Sequence, residues 1–331
     1  MNHQRLILLF GLPRSGTTWA GKIFDSHPDT LYRHEPDSWA HMGEIPLAPE
    51  ATPDPNLEHQ VAAFGDRLPR MRTTKVAGSL PLFPKRRQSR LGFQFHRAGV
   101  LAAKAAARLT GEFPILTWGS TARDGSHRII WKSIESVGRM GLLARSLPGS
   151  RGILLIRHPC GFAASILRGE RNRHFTSEVA ASEDYGIFEA LLATSAARRR
   201  GLTLADLQLM RPEERLAWRW VLFNEKAMED IADLDGFDVV RYEDLCRAPS
   251  AVTRHMFECC GLTMDPQTEA FLTESSSENR AGYYSVFKEP ARAAYRWRHE
   301  LDPEVVERIL TVTRGTPPGA LYSEDSQSQQ N

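Results

Sequence analysis

Two stretches of this 331-residue chain have the residue types and spacing to hold anions, and two further side chains could act on a bound molecule. The first stretch, Gly11-Leu12-Pro13-Arg14-Ser15-Gly16-Thr17-Thr18, lies between the apolar run Arg5–Phe10 and a helical pattern opening at Trp19. A glycine-containing turn that feeds a helix N-terminus points several backbone N–H groups at one place, which is how a chain cradles phosphate. The spacing fits G-x-x-x-x-G-[KT]-[ST]. The lysine that a nucleoside triphosphatase places after the second glycine is Thr17 here, and the cation stands inside the loop as Arg14. A plain strand-to-helix turn has no need of Gly, Ser, Gly, Thr and Thr together.

The second stretch is Arg157-His158-Pro159-Cys160-Gly161-Phe162-Ala163-Ala164-Ser165, behind the buried-strand pattern GILLI at 152–156. Arg157 ends that strand and offers a bidentate guanidinium, while Ser165 adds a hydroxyl from the following helix. In an open parallel sheet, ligands gather outside the carboxyl ends of the strands, so both motifs face one crevice. A strand organising magnesium for phosphoryl transfer would end in aspartate, not arginine. The structural alternative for Arg157 is an ion-paired residue at a strand end.

Lys132 closes the strand pattern RIIWK (128–132), where it serves either as a cation at the same crevice or as a snorkelling strand-end lysine. Glu35, in Arg33-His34-Glu35-Pro36, follows the presumed second strand and is the candidate general base; His34 is its competitor, since imidazole titrates near neutrality. Four cysteines, Cys160, Cys246, Cys259 and Cys260, show neither a CxxC nor a Cys/His metal spacing, so no metal is signalled.

GLPRSGTTW resembles the 5′-phosphosulfate loop of sulfotransferases that use 3′-phosphoadenosine 5′-phosphosulfate (PAPS) and release 3′-phosphoadenosine 5′-phosphate (PAP). RHPxxxxxS resembles their 3′-phosphate motif, with the arginine and serine eight positions apart. The resemblance implies that Arg14, Ser15, Gly16, Thr17 and Thr18 hold the 5′ phosphate, with Trp19 close to the nucleotide, and that Arg157 and Ser165 hold the 3′ phosphate. RYEDL at 241–245 is similar to the family segment whose tyrosine, here Tyr242, contacts adenine. YYSVFKEPARAAYRWRHEL at 283–301 looks like the closing segment of bacterial and carbohydrate-type members and offers Ser285, Lys288 and Arg296 as anion contacts. The histidine that the cytosolic branch places two positions after its lysine is Ile134 here, so the resemblance assigns the base to Glu35, with Arg14 and Lys132 neutralising charge on the leaving oxygen. The expected reaction is in-line transfer of a sulfuryl group to a hydroxyl or amine of a small-molecule, carbohydrate or lipid acceptor. A positioned base contributes about 10²–10⁴ in rate.

Two rival readings stand beside it. A P-loop kinase or NTPase predicts Mg-ATP binding. A non-catalytic anion- or nucleic-acid-binding module would rest on residues 66–132, which hold 14 Lys/Arg against 3 acids in a chain of net charge only +2. Base readers usually interleave aromatics with their basic residues, whereas this cluster is mostly Arg, Lys and Pro, so no nucleic-acid partner is expected.

The elements that must position these residues follow from the apolar periodicity. Strands are expected at 5–10, 30–33, 128–132, 152–156 and 238–245. Helices are expected from Trp19 to Phe24, over 95–109 on the surface, near 137–147, from Gly161 to Leu167, over 178–198 and 212–234, and from Ala251 to Cys260 with Gly261 as its cap. Residues 37–94 read as irregular, with short helices at most. Alternating strands and helices predict an α/β fold: a parallel β-sheet flanked by helices, of the P-loop NTPase-like type that the resemblance also implies. One domain over 1–322, with an irregular basic insert at 37–127 and a frayed Ser/Gln-rich tail at 323–331, fits the length. The composition, 41% hydrophobic and 25% charged, excludes collagen, coiled coil and a disordered chain. The apolar run Leu6–Phe10 is far short of the roughly 20 residues that cross a bilayer. The expectation is therefore a cytoplasmic protein without signal peptide or transmembrane segment, with peripheral membrane contact left open.

Overall fold

In the computed structural model, which describes residues 3–50, 54–86, 88–110, 115, 127–172, 179–277 and 290–323, five strands form one parallel sheet. In chain order the elements are β1 (Leu6–Phe10), α1 (Thr17–Ser26), β2 (Thr30–His34), α2 (Pro36–Ala40), α3 (Pro55–Arg67), α4 (Thr74–Ala77), α5 (Arg90–Thr110) and β3 (Arg128–Ser133). They continue with α6 (Met140–Ser146), β4 (Arg151–Ile156), α7 (Pro159–Arg171), α8 (Tyr185–Leu192), α9 (Ser195–Arg200), α10 (Leu204–Leu209) and α11 (Pro212–Ile231). The last are β5 (Phe237–Arg241), α12 (Tyr242–Arg247), α13 (Pro249–Cys259), α14 (Pro266–Ser277), α15 (Pro290–Tyr295) and α16 (Pro303–Thr313).

The strand order is β2-β3-β1-β4-β5. Successive side chains of a strand point to opposite faces, and the strands here are apolar on both. Leu6, Leu8, Phe10, Ile129, Trp131, Leu154 and Ile156 enter one core with α3, α6, α7, α11 and α16. Ile7, Leu9, Ile130, Ile153 and Leu155 enter the other with α1, α13 and α14. Each fully buried aliphatic or aromatic side chain contributes about 1.5–3 kcal/mol of transfer free energy, so this double burial is what holds the sheet between its helical layers.

The register aligns the strand ends. Phe10 pairs with Ser133 and Leu154, His34 with Lys132, and Ile156 with Arg241. The loop after β1, Glu35 after β2, Lys132 in β3, Arg157 after β4 and Tyr242 after β5 therefore all emerge at the same carboxyl edge.

Several expected boundaries shift. The 37–94 stretch contains the 13-residue helix α3, capped by Asp54, whose carboxylate accepts from Asn56 N and Leu57 N. Its buried stripe is narrow: Val61, Phe64 and Gly65 face inward, and Phe64 stacks on Trp131 with centroids 4.9 Å apart. The segment expected to be helical from 178 breaks into α8 and α9, because Thr194 leaves helical geometry and caps α9 by accepting from Ala197 N. The helix expected at Gly161 starts at Pro159, with the His158 ring accepting from Cys160 N. The last strand stops at Arg241, and Tyr242 opens α12.

Candidate active site

The loop between β1 and α1 needs glycine at two places. A Cβ on Gly11 would lie 2.4 Å from the Leu155 carbonyl oxygen of the adjoining strand. Gly16 has φ +83°, and a Cβ there would lie 2.3 Å from the Tyr242 ring. Arg14 also takes a left-handed backbone, φ 72°, despite its side chain. Gly16 offers no side-chain cap to α1, so among the described residues its first N–H groups have no intrahelical or capping partner.

The two motifs meet. Arg14 Nε donates to Ser165 Oγ at 2.9 Å, across 151 residues of sequence. Arg157 Nη1 donates to the Arg14 carbonyl at 2.9 Å and Nη2 to the Ala293 carbonyl at 2.7 Å, while its Nε is buried without a hydrogen-bond partner. The Arg157 guanidinium lies over the Tyr242 ring, 5.1 Å from its centroid, and Tyr242 in turn packs on Gly16. Gly16, Tyr242, Arg157, Arg14 and Ser165 thus form one contiguous cluster. Below Arg157, the Trp220 indole donates to its carbonyl at 2.8 Å.

Sequence reasoning missed a further cation in this cluster. Arg168 stands one turn after Ser165 on α7, donates to Ser165 Oγ at 3.4 Å and pairs with Glu300. The i, i+3 spacing after the motif serine was its legible signal. Arg296 is 61% exposed and pairs with the same Glu300 at 2.5 Å, so it joins the cluster through that carboxylate. Trp19, in the first turn of α1, shares the inner stripe of that helix with Ile23, and its indole donates to Ser275 Oγ at 3.1 Å in the core against α14. Ser285 and Lys288 lie outside the described residues.

A second cluster forms at the ends of β2 and β3. The Lys132 ammonium donates to Glu35 Oε1, and the Glu35 N–H donates to the Lys132 carbonyl at 2.8 Å. Glu35 has φ 46°, a left-handed conformation for a residue with a full side chain. Two residues on, buried Asp37 anchors the turn, with Trp131 Nε1 donating to one carboxylate oxygen and the hydroxyls of Ser133 and Ser136 to the other. Burial pushes the Glu35 carboxyl up, but the Lys132 ammonium, with His34 and Lys75 adding to it, offsets this and leaves the group below the usual carboxylate range. His34 is lowered to about 3 by burial and then by Lys132; its Nδ1 lies 2.9 Å from the Tyr32 hydroxyl. At neutral pH the site therefore presents an ionised carboxylate beside a neutral imidazole.

The sequence model of the Sulfotransferase family matches residues 7–266, which include Glu35, Lys132 and both anion-site motifs. The chain belongs to the Sulfotransferase family. This sulfotransferase is 23% identical to "Carbohydrate sulfotransferase 6" of Homo sapiens over 97% of its own length and 82% of that protein's. Among solved structures it resembles the "Sulfotransferase Domain from the Curacin Biosynthetic Pathway", with TM-score 0.45 and 15% identity over 92% of this chain and 95% of that one. It also resembles sulfotransferase STF9 from Mycobacterium avium, with TM-score 0.40 and 15% identity over 93% and 75%. As a member of the family the sulfotransferase is an enzyme, and membership favours neither the kinase reading nor the non-catalytic one. Among its described residues, no group of three or more His, Cys, Asp and Glu is arranged to hold a metal ion.

Proposed function

We propose that this sulfotransferase transfers the sulfuryl group of PAPS to a hydroxyl or amine of a small-molecule, carbohydrate or lipid acceptor. The observation that carries the reading is the Arg14–Ser165 contact with Arg157 on the Arg14 carbonyl, which unites a phosphate loop with two cations and a hydroxyl suited to a second phosphate. The residues fit such a donor in two further ways. Arg157 keeps a buried, unpartnered N–H in the cluster, and the glycine at 16 leaves the loop flat against Tyr242, where a base could lie beside the ring. Bound PAPS supplies an activated sulfuryl group whose departure leaves negative charge on the 5′-phosphate oxygen.

In this reading Arg14 and the free N–H groups of α1 bind the 5′ phosphate, and Arg157 and Ser165, with Arg168 behind them, bind the 3′ phosphate. Donors already fixed by the fold stabilise growing charge without reorganising. Glu35 takes the acceptor proton at its carboxylate oxygen. Lys132 keeps that carboxylate ionised and aimed, and its own positive charge adds to the neutralisation of the leaving oxygen.

Thermal shift with PAP, with ADP and with ATP plus magnesium, on the wild type and on Ser165→Ala and Arg157→Ala, tests the assignment. A ligand at about 100 times its Kd adds roughly 2.7 kcal/mol of stability. The expected result is a larger shift with PAP than with ADP, reduced in both variants. Preference for ATP with magnesium would instead hand the site to a kinase.

A further inference from the structure

The 21-residue helix α5 turns an apolar face to solvent. Leu91, Phe95, Ala98, Ala102 and Ala105 recur at spacings of four and three, which places them on one side of a helix, and all five are exposed. Leu91 is 71% and Phe95 67% accessible, whereas Val100, on the opposite side, is completely buried. That buried side lies against α4, and Lys104 fastens the helix by donating to the Gly78 carbonyl at 3.0 Å. Arg90 and Arg97, one heptad apart and both exposed, line one flank of the stripe, with half-exposed Leu101 between them and it. The helix has no aspartate or glutamate along its whole length.

We propose that α5 is an interfacial helix that seats this protein on a bilayer containing anionic lipid. The apolar stripe supplies the part that enters the acyl boundary, and the arginine row meets the headgroups. No helix among the described residues is long and apolar enough to cross a membrane, so α5 lies on the surface and does not span it. A second copy of the chain fits the face less well: pairing α5 with itself about a two-fold axis brings an acid-free basic helix against another. The surrounding basic excess, 14 Lys/Arg against 3 acids over 66–132, favours the same occupant. The inference does not depend on which donor the active site uses.

Cosedimentation of the full chain with vesicles of mixed phosphatidylcholine and phosphatidylserine, against pure phosphatidylcholine vesicles, is the test. The chain should pellet with the mixed vesicles only, and less as salt is raised. Arg90→Gln with Arg97→Gln should weaken binding about 25-fold, at about fivefold for each guanidinium. Leu91→Ser with Phe95→Ser should abolish it, and both double variants should keep the wild-type melting midpoint because the altered side chains are exposed. Wild-type protein remaining in the supernatant with both vesicle types overturns the proposal, as does undiminished pelleting of the serine variant. A wild-type dimer that becomes monomeric in the serine variant, without vesicle binding, would assign the face to a second copy.

Discussion

Glu35 and Arg14 share an unusual property: both are candidate site residues with left-handed backbones, at φ 46° and 72°. Each such conformation costs on the order of 1–3 kcal/mol, which the surrounding contacts must offset. For Glu35 the contact is mutual, since its backbone N–H and its carboxylate both meet Lys132. Glu35→Gln keeps the shape and the hydrogen-bonding atom but removes the charge, so kcat should fall at least about 100-fold while PAP affinity holds. Single-turnover rates and a binding titration separate the two. The pH profile adds a check on His34. With His34 lowered to about 3 and Glu35 below the ordinary carboxylate range, activity should stay level from neutrality down past pH ~6 and fall only below that carboxylate range. An inflection near 6.5 that disappears in His34→Asn would transfer the proton-accepting role to the histidine. Gly16→Ala should lose nucleotide binding, because the new methyl group meets the Tyr242 ring at 2.3 Å on a backbone at φ +83°. The loss would register as a flat PAP thermal-shift curve.

At the scale of elements, α2 is a single turn of five residues, and its place is set by Asp37 and not by packing alone. Asp37 is buried and receives hydrogen bonds from Trp131, Ser133 and Ser136, three donors that the β3 end would otherwise leave unsatisfied. Asp37→Ala should therefore cost about 3 kcal/mol, read as a lower urea midpoint at unchanged slope. It should also lower kcat through the displaced Glu35. This residue was invisible in sequence, since its role depends on the β2–β3 register, which brings together positions almost a hundred residues apart. The strands and both phosphate-loop motifs were legible, because continuous apolar runs ending in glycine or arginine leave few alternatives for a buried parallel strand. Helix α3 was hidden, its three inward residues diluted among polar neighbours. Trp19 carries both readings at once: the motif sets it three residues past Gly16, and its spacing to Ile23 turns it into the core.

On the scale of the whole molecule, His34 and His158 make the fold sensitive to acid. His158 is lowered to about 3 by burial and then by Arg298, Arg241 and Arg157; it stacks on Trp297 at 4.5 Å and meets Tyr322 edge-on at 5.0 Å. A histidine that stays neutral when folded but protonates near 6.5 when unfolded makes the unfolded chain bind more protons throughout that interval. Stability is therefore complete above pH ~6.5 and is lost as pH falls towards 3. The two histidines together set a slope approaching about 2.7 kcal/mol per pH unit. Glu243, raised by burial beside the His158 N–H, acts in the opposite direction at the acid end. Urea midpoints measured from pH 7.5 to 5 should fall steeply, and His158→Asn should remove about half of the slope that the two histidines contribute. A midpoint independent of pH over that range would mean that neither histidine is kept neutral by the fold.

The tryptophans around Arg157 carry one more consequence. Trp220 donates its indole N–H to the Arg157 carbonyl, and Trp297 lies flat on the ring of the next residue, His158. Both fluorophores are thus wired to the strand end proposed to hold the 3′ phosphate. Their emission gives the protein an unlabelled optical gauge of the proposed donor site, one that should change as PAP is titrated and lose that response in Trp220→Phe with Trp297→Phe.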